Sequence, residues 1–207
     1  MKTLTNEDCK YYLTSGPLSQ PFIEDSIVKE KIMIDYNSKL QQGKQTSHIE
    51  SLYNWLHRIV KHANDNKFIK ENHFQRTAKE IWDSKLSTGC TDYALLFCTF
   101  ARQIGIPSTL LHTAEYNWLE RLKSDQDSKK HYGHSFCECF YNGKWILVDP
   151  TCKEIIYNYS STKIELDYSV GGNNIFIPYY RGRDLHEKQT EKQHNNLMDE
   201  ECLKLRI

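Results

Sequence analysis

No run of the chain approaches the roughly 18 consecutive apolar residues that mark a membrane-spanning helix, so none is expected. Charge of one sign is missing too: 27 Lys plus Arg stand against 27 Asp plus Glu. The chain therefore has no global field to draw it to nucleic acid or an acidic membrane, and neither is expected as a partner. The opening residues, MKTLTNEDCKYYLTSG, lack an apolar stretch and carry Glu7 and Asp8 early, so no signal peptide is expected. Internal repeats and low-complexity tracts are absent. The cysteines number seven, an odd count. Cys137 and Cys139 would leave one strand face with parallel Cβ vectors, poorly placed to bridge. A reduced, cytoplasmic chain is the expectation, although release by a signal-independent system would leave the same trace.

What is present reads as one domain with extensions: a polar arm over 1–20, a core over 21–185 and a polar tail over 186–207. Apolar residues at helical spacing predict a helix from Glu24 to about Gln42, stopped by Gly43. Ser47 and Glu50 form a capping box before a second helix, whose stripe runs from Ile49 to Val60. A third helix is expected over Glu71–Asp83. A fourth follows Ser87-Thr88-Gly89, with Tyr93, Leu96, Phe97, Phe100, Ala101 and Ile104 inward, and ends at Gly105 before Pro107. Ser108–His112 reads as a strand. Residues 113–133 read as a long surface loop, with Trp118, Glu120 and Arg121 placed to border a cleft. Short strands are expected over Ile155–Tyr159, Lys163–Leu166 and Asn174–Tyr180. A polar, helical or frayed stretch is expected over His186–Asn196.

The stretch HSFCECFYNGKWILVD, His134 to Asp149, organises the rest. Asn142-Gly143 between two alternating runs signals a type I′ hairpin, because both central residues of that turn need positive φ. The two-residue turn sets Tyr141 opposite Lys144, Phe140 opposite Trp145 and Phe136 opposite Asp149. His134 shares a face with Phe136 and so becomes a diagonal neighbour of Asp149. Cys90 falls in the first turn of the fourth helix, where the helix field lowers a thiol's pKa. Singly, each has an ordinary explanation: a small hydrophobe, a half-exposed strand residue, a turn former. Together they are the nucleophile, base and orienter of a Cys–His–Asp triad.

The runs TGCTDYALLF, GIPS, GHSFCE and KWILVDPT resemble the transglutaminase-like superfamily over about residues 46–151. That resemblance implies an α+β, papain-like core, with the nucleophile helix packed on an antiparallel sheet bearing His and Asp. Its motif positions fall on Cys90, His134 and Asp149, and Glu138 matches an acidic position on the His strand. Gly89 directly precedes Cys90 where the family often has Gly-x-Cys, and Phe136 stands where it often has Trp.

The chemistry implied is acyl transfer from a peptide or side-chain amide through a thioester, to water or to an amine. The partner would be a protein or peptide substrate, and no cofactor is required. Some relatives depend on calcium, but this chain carries no D-x-[DN]-x-[DN]-G run. The Cys90 N–H is one candidate oxyanion donor and the Trp82 indole a second. A catalytically silent protein-binding module and a purely structural role stay open as alternatives. Cys137-x-Cys139 with Cys152 lacks the usual spacing of a zinc site. His112 and His131 lack companions at ligand spacing, and Tyr179–Arg183 is too short a basic-aromatic stretch to argue for nucleic acid.

Overall fold

The computed structural model describes residues 4–124, 130–159, 164–168, 172–185 and 188–205. A 3-10 turn (Asn6–Asp8) and α1 (Cys9–Tyr12) lead into α2 (Asp25–Gln41), α3 (His48–Ile59), β1 (Lys61–His62), α4 (Asn66–Asn72), α5 (Ala78–Ser84), β2 (Leu86–Ser87) and α6 (Cys90–Gln103). Then come β3 (Ser108–Glu115), α7 (Tyr116–Lys123), β4 (Gly133–Tyr141), β5 (Lys144–Asp149), β6 (Glu154–Ile156), β7 (Ile164–Tyr168), β8 (Gly172–Gly182) and α8 (Glu191–Lys204). Strands β1 and β2 form a small parallel pair. The other six form one antiparallel sheet in the order β6-β5-β4-β3-β8-β7. This is the α+β architecture expected. Lys163, placed in an expected strand, and His186, placed in the expected tail, lie outside the described residues.

Helix α6 is the axis of the structure. From Thr91 to Gln103 all its residues are buried, because helices α2, α3 and α5 cover one side and the sheet covers the other. Phe97, Phe100, Leu52, Leu56 and Ile81 share one core with Leu110, Cys137, Cys139, Ile146 and Val148 from the inner sheet face. The opposite face carries a smaller cluster of Leu111, Phe136, Leu147 and Phe176.

Local chemistry sets several boundaries. The Ser47–Glu50 box is present: Ser47 Oγ accepts from the Glu50 N–H at 3.1 Å, and Glu50 Oε2 accepts from the Ser47 N–H at 2.7 Å. The helix expected over Glu71–Asp83 is two helices. Asp65 caps α4, and a second box, Thr77 with Glu80, starts α5. Between them Phe74 adopts φ 60°. The hairpin forms as the turn chemistry dictates, with φ 50° at Asn142 and 81° at Gly143. Its ladder pairs Tyr141 with Lys144, Phe140 with Trp145 and Cys137 with Val148.

One further expectation needs correction. Residues 113–133 are not a surface loop throughout: β3 continues to Glu115, whose carboxylate caps α7 by accepting from the Asn117 and Trp118 N–H groups. Trp118 and Leu119 are fully buried against Ile177 and Tyr179 of β8. The polar tail is likewise anchored: His194, Met198 and Cys202, four residues apart, turn one face of α8 inward onto the same cluster. Without α7 and α8 this face of β8 would be bare. The arm is held as well, since Asp184 accepts from the Leu18 and Ser19 N–H groups, each at 2.8 Å. Among the described residues no helix is long and apolar enough to cross a membrane.

Trp118 therefore behaves as a core residue. Trp118→Ala should lower unfolding stability by about 3–5 kcal/mol in urea titration; a change below about 1 kcal/mol would return residues 116–123 to a surface role.

Candidate active site

Helix α6 begins at Cys90 because the residues before it are pinned. The Asp92 carboxylate accepts from the Thr88 N–H at 2.6 Å and the Thr88 hydroxyl at 2.8 Å, and it pairs with buried Arg76. Gly89 is the N-cap. A Cβ there would lie 3.2 Å from the His73 ring, so the approach of that ring favours glycine. Cys90 is half-buried at the helix start, and its N–H has no partner within the helix by geometry.

His134 stands at the opening of β4, where that strand reaches the N-terminus of α6. Its Nε2 lies 2.8 Å from Asp149 Oδ2, at the end of β5. Asp149 is fixed from its other oxygen, which accepts from the Thr151 N–H at 2.9 Å and the Cys152 N–H at 3.0 Å. It is thus both the strand-end turn former and the partner of the imidazole. His57 of α3 steadies the same turn through Pro150 O at 2.6 Å, with its ring stacked on Tyr93. Phe136, in place of the family's frequent Trp, sets its ring edge-on to His134 at 4.6 Å between centroids.

With Nε2 committed to Asp149, Nδ1 is the ring nitrogen left for the Cys90 thiol, which lines the same cavity. Burial pushes the Cys90 thiol up, but the hydrogen bond and charge of His134, with bonds from Ser135, carry it below its ordinary value. Burial pulls His134 down, yet Asp149 and then Cys90 raise it to about 10. Opposite shifts in neighbouring groups are those of a thiolate–imidazolium pair. The His134 side chain is 17 % exposed and that of Asp149 1 %, so solvent screens the pair weakly.

The structure thus brings Cys90, His134 and Asp149 together. Trp82 and Glu138 are elsewhere. Trp82 packs with Phe22, Trp55 and Phe100 in the helical core under the Lys85 ammonium, and so does not reach Cys90. Glu138 is buried in a two-point ion pair with Arg181, Nε to Oε2 at 2.5 Å and Nη2 to Oε1 at 2.7 Å, and accepts from the Tyr159 hydroxyl. That clamp ties β4 to β8 across β3 and neutralises Arg181, one of the two arginines of the Tyr179–Arg183 stretch. Cys137 is also occupied structurally, its sulfur 3.4 Å from Cys98 and from Ala94 O, while Cys152 is exposed.

Sequence reasoning missed the wall around the centre. A cavity of about 330 Å³ holds Cys90 and His134 and is bounded by His73, His112, Tyr179 and His194. The spacing of His194, Met198 and Cys202 could have pointed to an inward helix face. His73 and His112 carried no local signal, since they meet only through the fold.

With this geometry in hand, comparison with known proteins is informative. The family model of the Transglutaminase-like superfamily matches residues 34–150, more than half of the chain. The chain belongs to the transglutaminase-like superfamily. A crystal structure described as a putative cysteine protease from Cytophaga hutchinsonii superposes with a TM-score of 0.51 at 15 % identity. The match covers 90 % of this chain and 50 % of that one, so the chain spans about half the length of that relative. At this identity the likeness speaks for the fold. No curated protein matches the chain.

The paired ionisation has a measurable signature. Alkylation of Cys90 by iodoacetamide should have its midpoint at a pH below 9.0, the thiol's ordinary value, because half of the thiol is anionic at the lowered pKa. In His134→Ala the main lowering partner is gone and burial remains, so the midpoint should move up. Peptide mass spectrometry across pH 5–10 reads both, and a midpoint unchanged by the substitution would remove the pair.

Proposed function

We propose that the protein is a thiol-dependent acyl-transfer enzyme acting on peptide or side-chain amides, with Cys90 as nucleophile, His134 as acid and base, and Asp149 as orienter. The observation that carries this reading is that the imidazole held by Asp149 through Nε2 shares a cavity with the Cys90 thiol, and that ring and thiol are shifted in opposite directions. Family membership supports the thiol chemistry.

In the reaction the Cys90 thiolate attacks the amide carbonyl carbon, and the C=O electron pair moves to oxygen. The Cys90 N–H, first in its helix, is the donor aimed at that oxyanion. Collapse breaks the C–N bond; the leaving amine takes the proton held at His134 Nδ1, and a thioester remains on Cys90. His134, now neutral, then takes a proton from water or from an acceptor amine as that nucleophile attacks. The acyl group leaves as an acid or a new amide, and the thiolate–imidazolium pair is restored. Asp149 keeps the ring oriented and steadies its charge throughout. Hydrolysis is the outcome we favour. A nucleophile that must stay reduced suits a reducing compartment, so we place the protein in the cytoplasm.

The test is incubation with a peptide-amide library and, in parallel, with a fluorescent primary amine. Mass spectrometry reads hydrolysis, amine incorporation and acyl adducts on Cys90. Cys90→Ala should abolish all three, and Asp149→Ala should slow turnover by about 10²–10⁴-fold. Tight binding of a protein without turnover, surviving Cys90→Ser, would instead make the domain a binding module.

A further inference from the structure

His112 sits at an irregular point of the sheet. The β3–β8 register runs from His112 opposite Tyr180 to Thr113 opposite Pro178, so Tyr179 is an extra residue on β8. Such bulges re-aim side chains and recur beside active sites. Here the rings of Tyr179 and His194 close on His112, with centroids 6.1 Å and 5.2 Å away. His112 is 2 % exposed, and it lines the cavity that holds Cys90 and His134.

Its two nitrogens differ. Nδ1 lies 2.9 Å from Ser135 Oγ, which in turn lies 2.9 Å from Thr91 Oγ1. Nε2 is buried with no hydrogen-bond partner among the described residues. Ser135 also helps to hold the Cys90 thiol below its ordinary value. A Ser135 O–H turned to that sulfur leaves Ser135 Oγ to accept from His112 Nδ1–H, the tautomer in which Nε2 is the free acceptor. Burial pushes His112 well down, so the ring is neutral and Nε2 carries a lone pair. A buried acceptor left without a donor is costly, and one lining a reaction cavity is fit to meet a ligand.

We propose that His112 is a specificity residue of this centre, accepting through Nε2 a hydrogen bond from an amide N–H or hydroxyl on the acyl part of the substrate. This rests on the reading of Cys90 as nucleophile. The acyl side follows from strand alternation: His134, which serves the leaving amine, and Ser135, which leads to His112, project to opposite faces of β4. A neutral donor follows from the lining, where Phe74, Tyr179 and Met198 are apolar or aromatic and Lys130 balances the acid Glu191.

The probes are peptidyl acyloxymethyl ketones, which alkylate thiolates, in matched pairs whose residue next to the electrophile is Thr or Val, Tyr or Phe, Asn or Leu. Intact-mass kinetics gives the rate of Cys90 modification. In at least one pair the donor-bearing probe should react about 10-fold faster than its isostere. That ratio should fall to within about 2-fold in His112→Leu and recover in part in His112→Gln, whose carbonyl can accept. Ratios below about 3-fold in every pair on the wild type, or a ratio that survives His112→Leu, would overturn the assignment. Wild-type ratios decide even if the variants do not fold. Failure of every probe to modify Cys90 would instead bring down the nucleophile reading, and this inference with it.

Discussion

The hydrogen bond from His134 to Asp149 depends on a turn that begins eight residues after the histidine. Asn142 and Gly143 take positive φ, the strands pair without slippage, and the far ends of β4 and β5 bring an imidazole within 2.8 Å of a carboxylate. A slip of one residue would send His134 to the other face and leave Asp149 buried without it. The Asp149 carboxylate is also held by two backbone N–H groups, so its position does not rely on the histidine. Ring orientation is therefore imposed from the sheet, and the sulfur is brought to a site already set.

The sulfur's position comes from the other layer. Helix α6 is enclosed on all sides, which fixes its axis, while Asp92 and Arg76 fix where it starts. The two layers meet where the helix N-terminus reaches the opening of β4. Desolvation alone would make Cys90 an inert thiol. Only the close approach of His134, charged through Asp149, reverses the sign.

Much of this was legible from residues alone. Turn chemistry at Asn142-Gly143 and period-two alternation gave the His134–Asp149 pairing, and the apolar period after Gly89 gave the helix that presents Cys90. These signals are local, or become so once one turn is recognised. The partners that fix Trp82 and Glu138 in place, Phe100 and Arg181, are remote in sequence and so were not legible. Helix α7 was missed because two turns leave a weak period, and its burial depends on β8 and α8 arriving later in the chain. The Thr77–Glu80 box that splits the third helix was visible in principle, but the apolar period from Phe74 to Trp82 ran across the break. His112 has no sequence signature at all, since its character comes from a bulge and from Ser135 on a neighbouring strand.

The central claim is that His134 is an imidazolium because it lies between Asp149 and a Cys90 thiolate. Heteronuclear NMR of the His134 ring across pH 5–11 tests this most directly, in the wild type and in Cys90→Ser. The wild-type ring should stay protonated at both nitrogens until about pH 10. In Cys90→Ser it should lose its proton at lower pH, because the anionic partner is gone. A ring that titrates near the ordinary histidine value of about 6.5 in both proteins would contradict the account, leaving Cys90 a neutral thiol beside a neutral base.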